Sequence, residues 1–269
     1  MVSFPNCKIN LGLQIIRKRE DGYHDLETVF YPILLCDALE IIQTSEKQTT
    51  ITISGLTIDS GSGDNICLKA YNLLKKDFDL PAVTIHLHKV IPIGAGLGGG
   101  SSNGAFTLLL LNKKFNLNLS EDALMKYALE LGSDCPFFIK NKPCFATSRG
   151  EILEPISVDL SNYKIVLINP GIHVNTGLAF SKIKPKADRV SVAEIIQQPI
   201  ASWKNILAND FEKTIFEQHP PIKEIKELLY SNGAIYASMT GSGSSVYGIF
   251  EKKETPRLPL KESFFIHWM

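Results

Sequence analysis

Between residues 92 and 105 the chain reads Pro92-Ile93-Gly94-Ala95-Gly96-Leu97-Gly98-Gly99-Gly100-Ser101-Ser102-Asn103-Gly104-Ala105, and an apolar run through Leu111 follows. Five of the seven residues from Gly94 to Gly100 are glycine. Glycine reaches positive φ at little cost and lets a ligand come close to the main chain. Where such a run feeds a helix, unpaired N–H groups and the positive end of the helix dipole together favour an anion. The chemistry on offer is a phosphate cradle. Ser101 or Ser102 suits the helix N-cap, and Lys113 and Lys114 suit its last turn.

Other glycine loops fit less well. A Walker-type loop needs a lysine directly after its last glycine, where this chain has Ser101. Gly94-x-Gly96-x-x-Gly99 meets the dinucleotide fingerprint, and Glu121 and Asp122 lie about 20 residues on. Those acids follow Ser120 at a helix start, however, whereas the fingerprint wants an acid ending a second strand. A flexible linker would have polar flanks; here the flanks are Lys89-Val90-Ile91 and an apolar helix.

Further residues with chemical potential are scattered along the chain. Lys8 and Asn10 share the polar face of an alternating strand, so they either face solvent or reach one ligand together. Tyr23-His24 opens a second strand, a place for structural residues or for a ring and an imidazole that read a base. Asp134 follows a helix stop at Gly132 and precedes an apolar, aromatic segment expected to be a strand. It is a turn residue or a partly desolvated carboxylate. Cys135 has no visible histidine partner and reads as small filler. His86 and His88 share a strand face without a nearby third ligand, short of what a zinc site needs. Gly241-Ser242-Gly243, between two apolar strands, is a hairpin or a second set of main-chain donors.

Positioning these residues takes a mixed α and β fold. Strands are expected over residues 7–16, 26–30, 39–44, 50–54, 83–89, 163–169, 234–239 and 246–250 from alternation or apolar runs. Helices are expected from Ile66, capped by Asp64 or Asn65, then after the glycine loop, from Ser120 to Leu131, around Phe180 with Thr176 as cap, from Asn209, and from Pro221 to Tyr230. The stretch 185–203 reads as a connector. The pattern restarts after Gly150, which suggests two domains, residues 1–155 and 156–269.

Composition narrows the partners. The chain has 269 residues with 28 basic and 28 acidic side chains, so no electrostatic case exists for nucleic acid. No leader-like segment opens it and no apolar run nears the ~20 residues of a membrane span, so no membrane partner is expected. Five cysteines without a C-x-x-C pair fit free thiols in a reducing cytoplasm.

Lys8-Ile9-Asn10-Leu11, the 92–105 loop, Gly132-x-Asp134-x-Pro136-Phe137 and Gly241-Ser242-Gly243 occur in the order found in the galactokinase, homoserine, mevalonate and phosphomevalonate (GHMP) kinase superfamily, which the chain resembles over nearly its whole length. The resemblance implies an α+β two-domain fold with mixed and antiparallel sheets and a glycine-rich phosphate loop at a helix N-terminus. It implies an ATP- and Mg²⁺-dependent small-molecule kinase. Asp134 would be the general base, Lys8 the group that stabilises the alkoxide, and Asn10 a positioning residue. The loop from Pro92 to Ser102 would hold the phosphates, through Gly94, Ala95, Gly96, Leu97, Gly98, Gly99, Gly100, Ser101 and Ser102, with Gly241 beside it and Ser101 toward Mg²⁺. Asp64, Asn65 and Lys89 align with adenine-side contacts. Tyr23, His24 and Phe180 imply an acceptor carrying a cytidine diphosphate group; a homoserine- or mevalonate-type acceptor is the alternative. A nucleotide-binding regulator without catalysis would have no use for both Lys8 and Asp134. Two departures stand out: Cys7 and Cys135 flank the catalytic positions and invite thiol oxidation, and the C-terminus carries Pro256 and Pro259 where relatives often have a helix.

Overall fold

The computed structural model describes residues 1–56, 65–254 and 256–269; Asp64 and most of the expected 61–65 turn lie outside them. The chain divides into two compact units that interleave in sequence. One takes residues 1–8, 32–93 and 98–142, the other residues 9–31, 94–97 and 143–269.

In the first unit, strands β1 (Val2–Ser3), β4 (Ala38–Gln43), β5 (Thr50–Gly55) and β6 (Val83–Lys89) form a sheet in the order β1-β4-β6-β5. β4 and β6 are antiparallel, and β5 joins β6 in parallel. Alternation decides which face is covered: Leu39, Ile41, Ile85 and Leu87 are buried while His86 and His88 are exposed. Helices α1 (Ile66–Lys75), α2 (Gly99–Lys114), α3 (Glu121–Leu131) and α4 (Cys135–Lys140) pack on one another. Asn65 caps α1 by accepting from the Cys67 N–H at 2.9 Å, and Ser120 caps α3 through the Ala123 N–H at 3.3 Å.

Two local expectations need correction. α2 begins at Gly99 with Gly98 as N-cap in a left-handed conformation, so Ser101 and Ser102 sit inside the first turn rather than capping it. The segment after Asp134 is helix α4, not a strand. Pro136 in its first turn fits a helix start, where no N–H is missed, and the buried pair Phe137-Phe138 reflects the core beneath it rather than a β preference.

The second unit holds the antiparallel sheet β10 (Tyr236–Met239), β11 (Val246–Glu251), β9 (Tyr163–Asn169) and β12 (Phe265–Trp268), in that order. Phe211, Ile215, Ile222, Ile225 and Leu229 pack with Val166, Ile168, Val246 and Phe250 in one core. The first five of these come from helices α8 (Phe211–Gln218) and α9 (Pro220–Ser231). The expected connector contains two short helices, α6 (Val192–Ile195) and α7 (Ile200–Ile206), and the tail ends in a strand.

A third sheet orders β2 (Asn6–Lys18), β3 (His24–Cys36), β7 (Cys144–Thr147) and β8 (Ile152–Pro155) as β2-β3-β7-β8. From Asn6 to Ile15 every residue of β2 is buried, including Lys8, Asn10 and Gln14. The solvated outer face is therefore excluded. Polar groups on a strand buried on both sides must be partnered, because an unsatisfied one costs about 1–3 kcal/mol.

One buried ionic cluster anchors the first unit. The Asp37 carboxylate accepts from the Lys89 ammonium, from Asn103 Nδ2 at 2.8 Å, and from the backbone N–H groups of Val90 at 2.7 Å and Ile91 at 2.9 Å. Removing one partner of a buried pair leaves the other charge uncompensated. Asp37→Ala should therefore lose about 3–5 kcal/mol of unfolding free energy in urea titrations, and a change below about 1 kcal/mol, typical of exposed pairs, would refute that role.

Candidate active site

Lys8 and Asp134 meet in the first unit, with Nζ and Oδ2 3.5 Å apart; the lysine is 4% exposed and the carboxylate 33%. Asp134 occupies the N-cap position of α4 yet makes no capping hydrogen bond, so its oxygens stay available. α3 stops at Gly132, whose carbonyl receives the Cys135 N–H at 3.1 Å, and this tight turn aims Asp134. The lysine stem runs against Gly98, where a Cβ would lie 3.2 Å from Lys8 Cε and 3.0 Å from the Phe138 ring. Gly98 also has φ +69°, so glycine is required there twice over.

The amide-rich end of α2 thus begins beside this pair. The Ser102 N–H already donates to the Gly98 carbonyl, which leaves the amides of Gly99, Gly100 and Ser101 without helical partners. Gly100 is exposed and borders open space, since a Cβ built there would meet nothing within 4 Å. This is an anion site with a cation and a carboxylate at its edge.

In the second unit, residues 94–97 interlock with the loop from Thr240 to Ser245. The Ser245 N–H donates to the Ala95 carbonyl at 3.2 Å, and the Thr240 hydroxyl lies 3.2 Å from the Gly96 carbonyl and 3.3 Å from Asn10 Oδ1. A Cβ on Gly96 would overlap the Thr240 carbonyl, and Gly96 has φ +77°. Asn10 is held from three sides: its N–H donates to Thr240 Oγ1 at 3.0 Å, its amide donates to Thr28 Oγ1 at 2.9 Å, and its carbonyl accepts from Tyr247 at 2.9 Å. A third segment joins these loops. Ser244 Oγ donates to the Ile172 carbonyl at 2.5 Å, Thr176 and Ser242 hydroxyls are 2.9 Å apart, and His173 lies against Gly94.

His24 and Phe180 also come together in this unit, ring centroids 5.3 Å apart and 27° from parallel. Phe180 lies on α5 (Thr176–Ser181), whose N-cap is Asn175 rather than Thr176. Burial, then the nearby Lys18 charge, pushes the His24 pKa below its ordinary 6.5. The ring is therefore neutral at pH 7, with one nitrogen donating and one accepting. Tyr23 beside it is 56% exposed.

Other expected site residues are placed differently. The Asn65 side chain is committed to its cap and the Lys89 ammonium to Asp37 and to Asn103 Oδ1 at 3.0 Å, so both support the site from within. Burial raises the thiol pKa values of Cys7 and Cys135 to about 12, which keeps both protonated and unreactive. Among the described residues no group of three or more His, Cys, Asp or Glu could hold a metal. Mg²⁺ needs no such cage, since it takes one or two carboxylates and completes its shell with phosphate oxygens and water. The half-exposed Ser101 hydroxyl would suit that use. Sequence reading missed Asp37 and the Ile172–His173 contacts, which carry no motif, and singled out the Gly241 loop without the Thr240 contacts that hold it.

A family model for the N-terminal domain of GHMP kinases matches residues 65–142, and one for their C-terminal domain matches residues 191–258. A 4-diphosphocytidyl-2-C-methyl-D-erythritol kinase of Bacteroides fragilis is 55% identical over 94% of this chain and 93% of its own length. Its namesake in Azobacteroides pseudotrichonymphae is 54% identical over 95% of this chain and 96% of its own. A crystal structure of 4-(cytidine 5'-diphospho)-2C-methyl-D-erythritol kinase superposes with TM-score 0.79 at 31% identity, covering 93% of this chain and 90% of that one. The mevalonate kinase of Methanococcus jannaschii shares the fold at TM-score 0.71 and 16% identity, over 94% and 91%. The fold is that of a GHMP kinase. At this identity and coverage, the chain belongs to the 4-diphosphocytidyl-2-C-methyl-D-erythritol kinase family.

Gly96→Ala should lower kcat/KM at least about tenfold, because the overlap at Thr240 and the strained φ together cost about 1–3 kcal/mol; unaltered kinetics would show that the two loops need not interlock. A histidine with a depressed native pKa takes up its proton more readily in the unfolded chain. Stability should therefore fall as pH drops below about 6.5 toward the native pKa, and His24→Gln should flatten that slope in urea midpoints measured from about pH 7.5 to about pH 5.5.

Proposed function

We propose that this protein transfers the γ-phosphoryl group of ATP to the 2-hydroxyl of 4-diphosphocytidyl-2-C-methyl-D-erythritol, in the non-mevalonate route to isoprenoid precursors. The observation that carries the reading is the Lys8–Asp134 pair at the open N-terminus of α2, in a chain over half identical to relatives of that name. Phosphoryl transfer needs positioning and charge neutralisation more than covalent help. Asp134 accepts the proton of the acceptor hydroxyl, and the Lys8 ammonium stabilises the alkoxide and adjoining phosphoryl charge.

Main-chain amides of Gly99, Gly100 and Ser101 hold the phosphates, and in the second unit Gly241 lies against Gly96. The Ser101 hydroxyl would help hold Mg²⁺, which would supply charge neutralisation at the phosphates. Asn10 keeps the second loop and β2 in register. Asn65 and Lys89 serve the adenine side by fixing the start of α1 and the approach to the glycine loop. At the other end of the acceptor, Tyr23 and Phe180 offer ring faces to cytosine and the neutral His24 offers a hydrogen bond. Stacking is worth ~1–3 kcal/mol per base in comparable sites, enough to make the cytidine an anchor. The balanced charge, the absence of a membrane-spanning helix among the described residues and the free cysteines fit a small-molecule enzyme of the cytoplasm.

Turnover compared on 4-diphosphocytidyl-methylerythritol, homoserine, mevalonate and galactose tests the acceptor; activity confined to one of the last three would overturn it. Asp134→Asn should abolish turnover and leave ATP affinity within about threefold, because only the proton acceptor is removed. Retained turnover would take Asp134 out of the mechanism.

A further inference from the structure

We propose that Arg149, a residue outside the glycine loops and the Lys8–Asp134 pair, is a positioning residue for the acceptor's base, acting by stacking on Tyr23. The inference rests on the reading that Tyr23, His24 and Phe180 hold cytosine.

Tyr23 presents a problem that a binding site must solve. Its ring is more than half exposed, and an exposed aromatic on a hairpin end has many orientations to lose when a base stacks on it. The structure gives it one neighbour of fixed geometry. The Arg149 guanidinium carbon lies over the ring, 5.0 Å from its centroid, in cation–π contact. With Arg149 over one face and more than half of the residue exposed, Tyr23 keeps ring surface accessible to a ligand.

Arg149 is itself immobilised. It sits in the turn joining β7 to β8, where Glu151 Oε2 accepts from its backbone N–H at 2.7 Å and Glu151 Oε1 from its Nε at 3.3 Å. The turn is in turn bound to the Tyr23 hairpin. Ser148, at φ +62°, takes the Leu26 N–H on its carbonyl at 2.7 Å and the Arg19 guanidinium on its hydroxyl at 3.0 Å, and that hydroxyl donates to Glu151 Oε1 at 3.2 Å. Arg19 also grips Asp25 Oδ1 at 3.1 Å, and its backbone N–H donates to the Tyr23 carbonyl at 2.8 Å. Two turns distant in sequence thus hold Tyr23 by its backbone and by one ring face. A surface ion pair alone is worth little. A planar cation on a ring that must stay put restricts the free protein and so reduces the ordering cost of binding.

The test uses the full-length enzyme, with cytidine 5′-diphosphate as calorimetric probe and steady-state kinetics beside it. Arg149→Ala should raise the Kd for the probe and the acceptor KM by roughly two- to fivefold, the range of an exposed cation–π contact, with kcat, ATP KM and Tm unchanged. Arg149→Lys should fall between, since it keeps the charge and loses the planar fork. Tyr23→Leu combined with Arg149→Ala should be no worse than Tyr23→Leu alone, as expected when one residue acts through the other. Unchanged probe affinity in Arg149→Ala would overturn the proposal, as would additive losses in the pair or a joint fall in Tm and rise in both KM values. Failure of the wild type to bind the probe would instead refute the cytosine reading on which it stands.

Discussion

A phosphate cradle made of bare amides has no side chains to hold it, so its directions must be imposed from outside. Glycine loses more conformational freedom on ordering than any other residue, and five such residues fall within seven here. The structure supplies the missing constraint separately in each unit. In the first, Asp37 clamps the N–H groups of Val90 and Ile91 and, through Asn103, the body of α2. In the second, Thr240 and Ser245 bind the carbonyls of Gly96 and Ala95. Each support is a buried polar group, where a hydrogen bond left unmade costs more than the net gain from a typical one made.

The same logic explains why β2 carries polar residues through a buried strand. Lys8 has Asp134 as partner, Asn10 has Thr28 and Thr240, and Gln14 donates to the Val190 carbonyl at 3.1 Å. Among these, the Lys8–Asp134 pair is the one open to ligand, because the lysine is buried and the carboxylate a third exposed. Partial burial strengthens the attraction between the two groups while leaving the carboxylate able to meet a hydroxyl.

The aromatic cluster around His24 is held by a different principle. Rings are fixed by other rings and by a cation: Phe180 lies edge-on to Phe211 at 4.8 Å and parallel to His24, and Tyr23 lies under Arg149. Burial pushes the His24 pKa further below its ordinary value, and the neutral ring keeps one nitrogen as donor and one as acceptor.

Alternation, apolar runs and glycine spacing, all local properties, made β4, β6 and β9, the caps Asn65 and Ser120 and the glycine loop readable from the chain alone, whereas Lys8, Asn10 and Asp134 were singled out by their resemblance to GHMP kinase motifs. Local pattern could not settle elements decided by what they pack on. The aromatic stretch after Asp134 became α4 because Pro136 fits a helix start and the core takes Phe137 and Phe138 from a helix face. Nor does any spacing rule link Asp37 to Asn103, Thr240 to Gly96, or Arg149 to Tyr23, since those pairs are separated by long stretches of chain and meet only through tertiary packing. The sequence thus determined which groups could do the chemistry, because their types and short-range spacing are local. Tertiary structure alone decided what holds them still, because a buried hydrogen bond or a stacked cation depends on neighbours brought in from elsewhere in the fold.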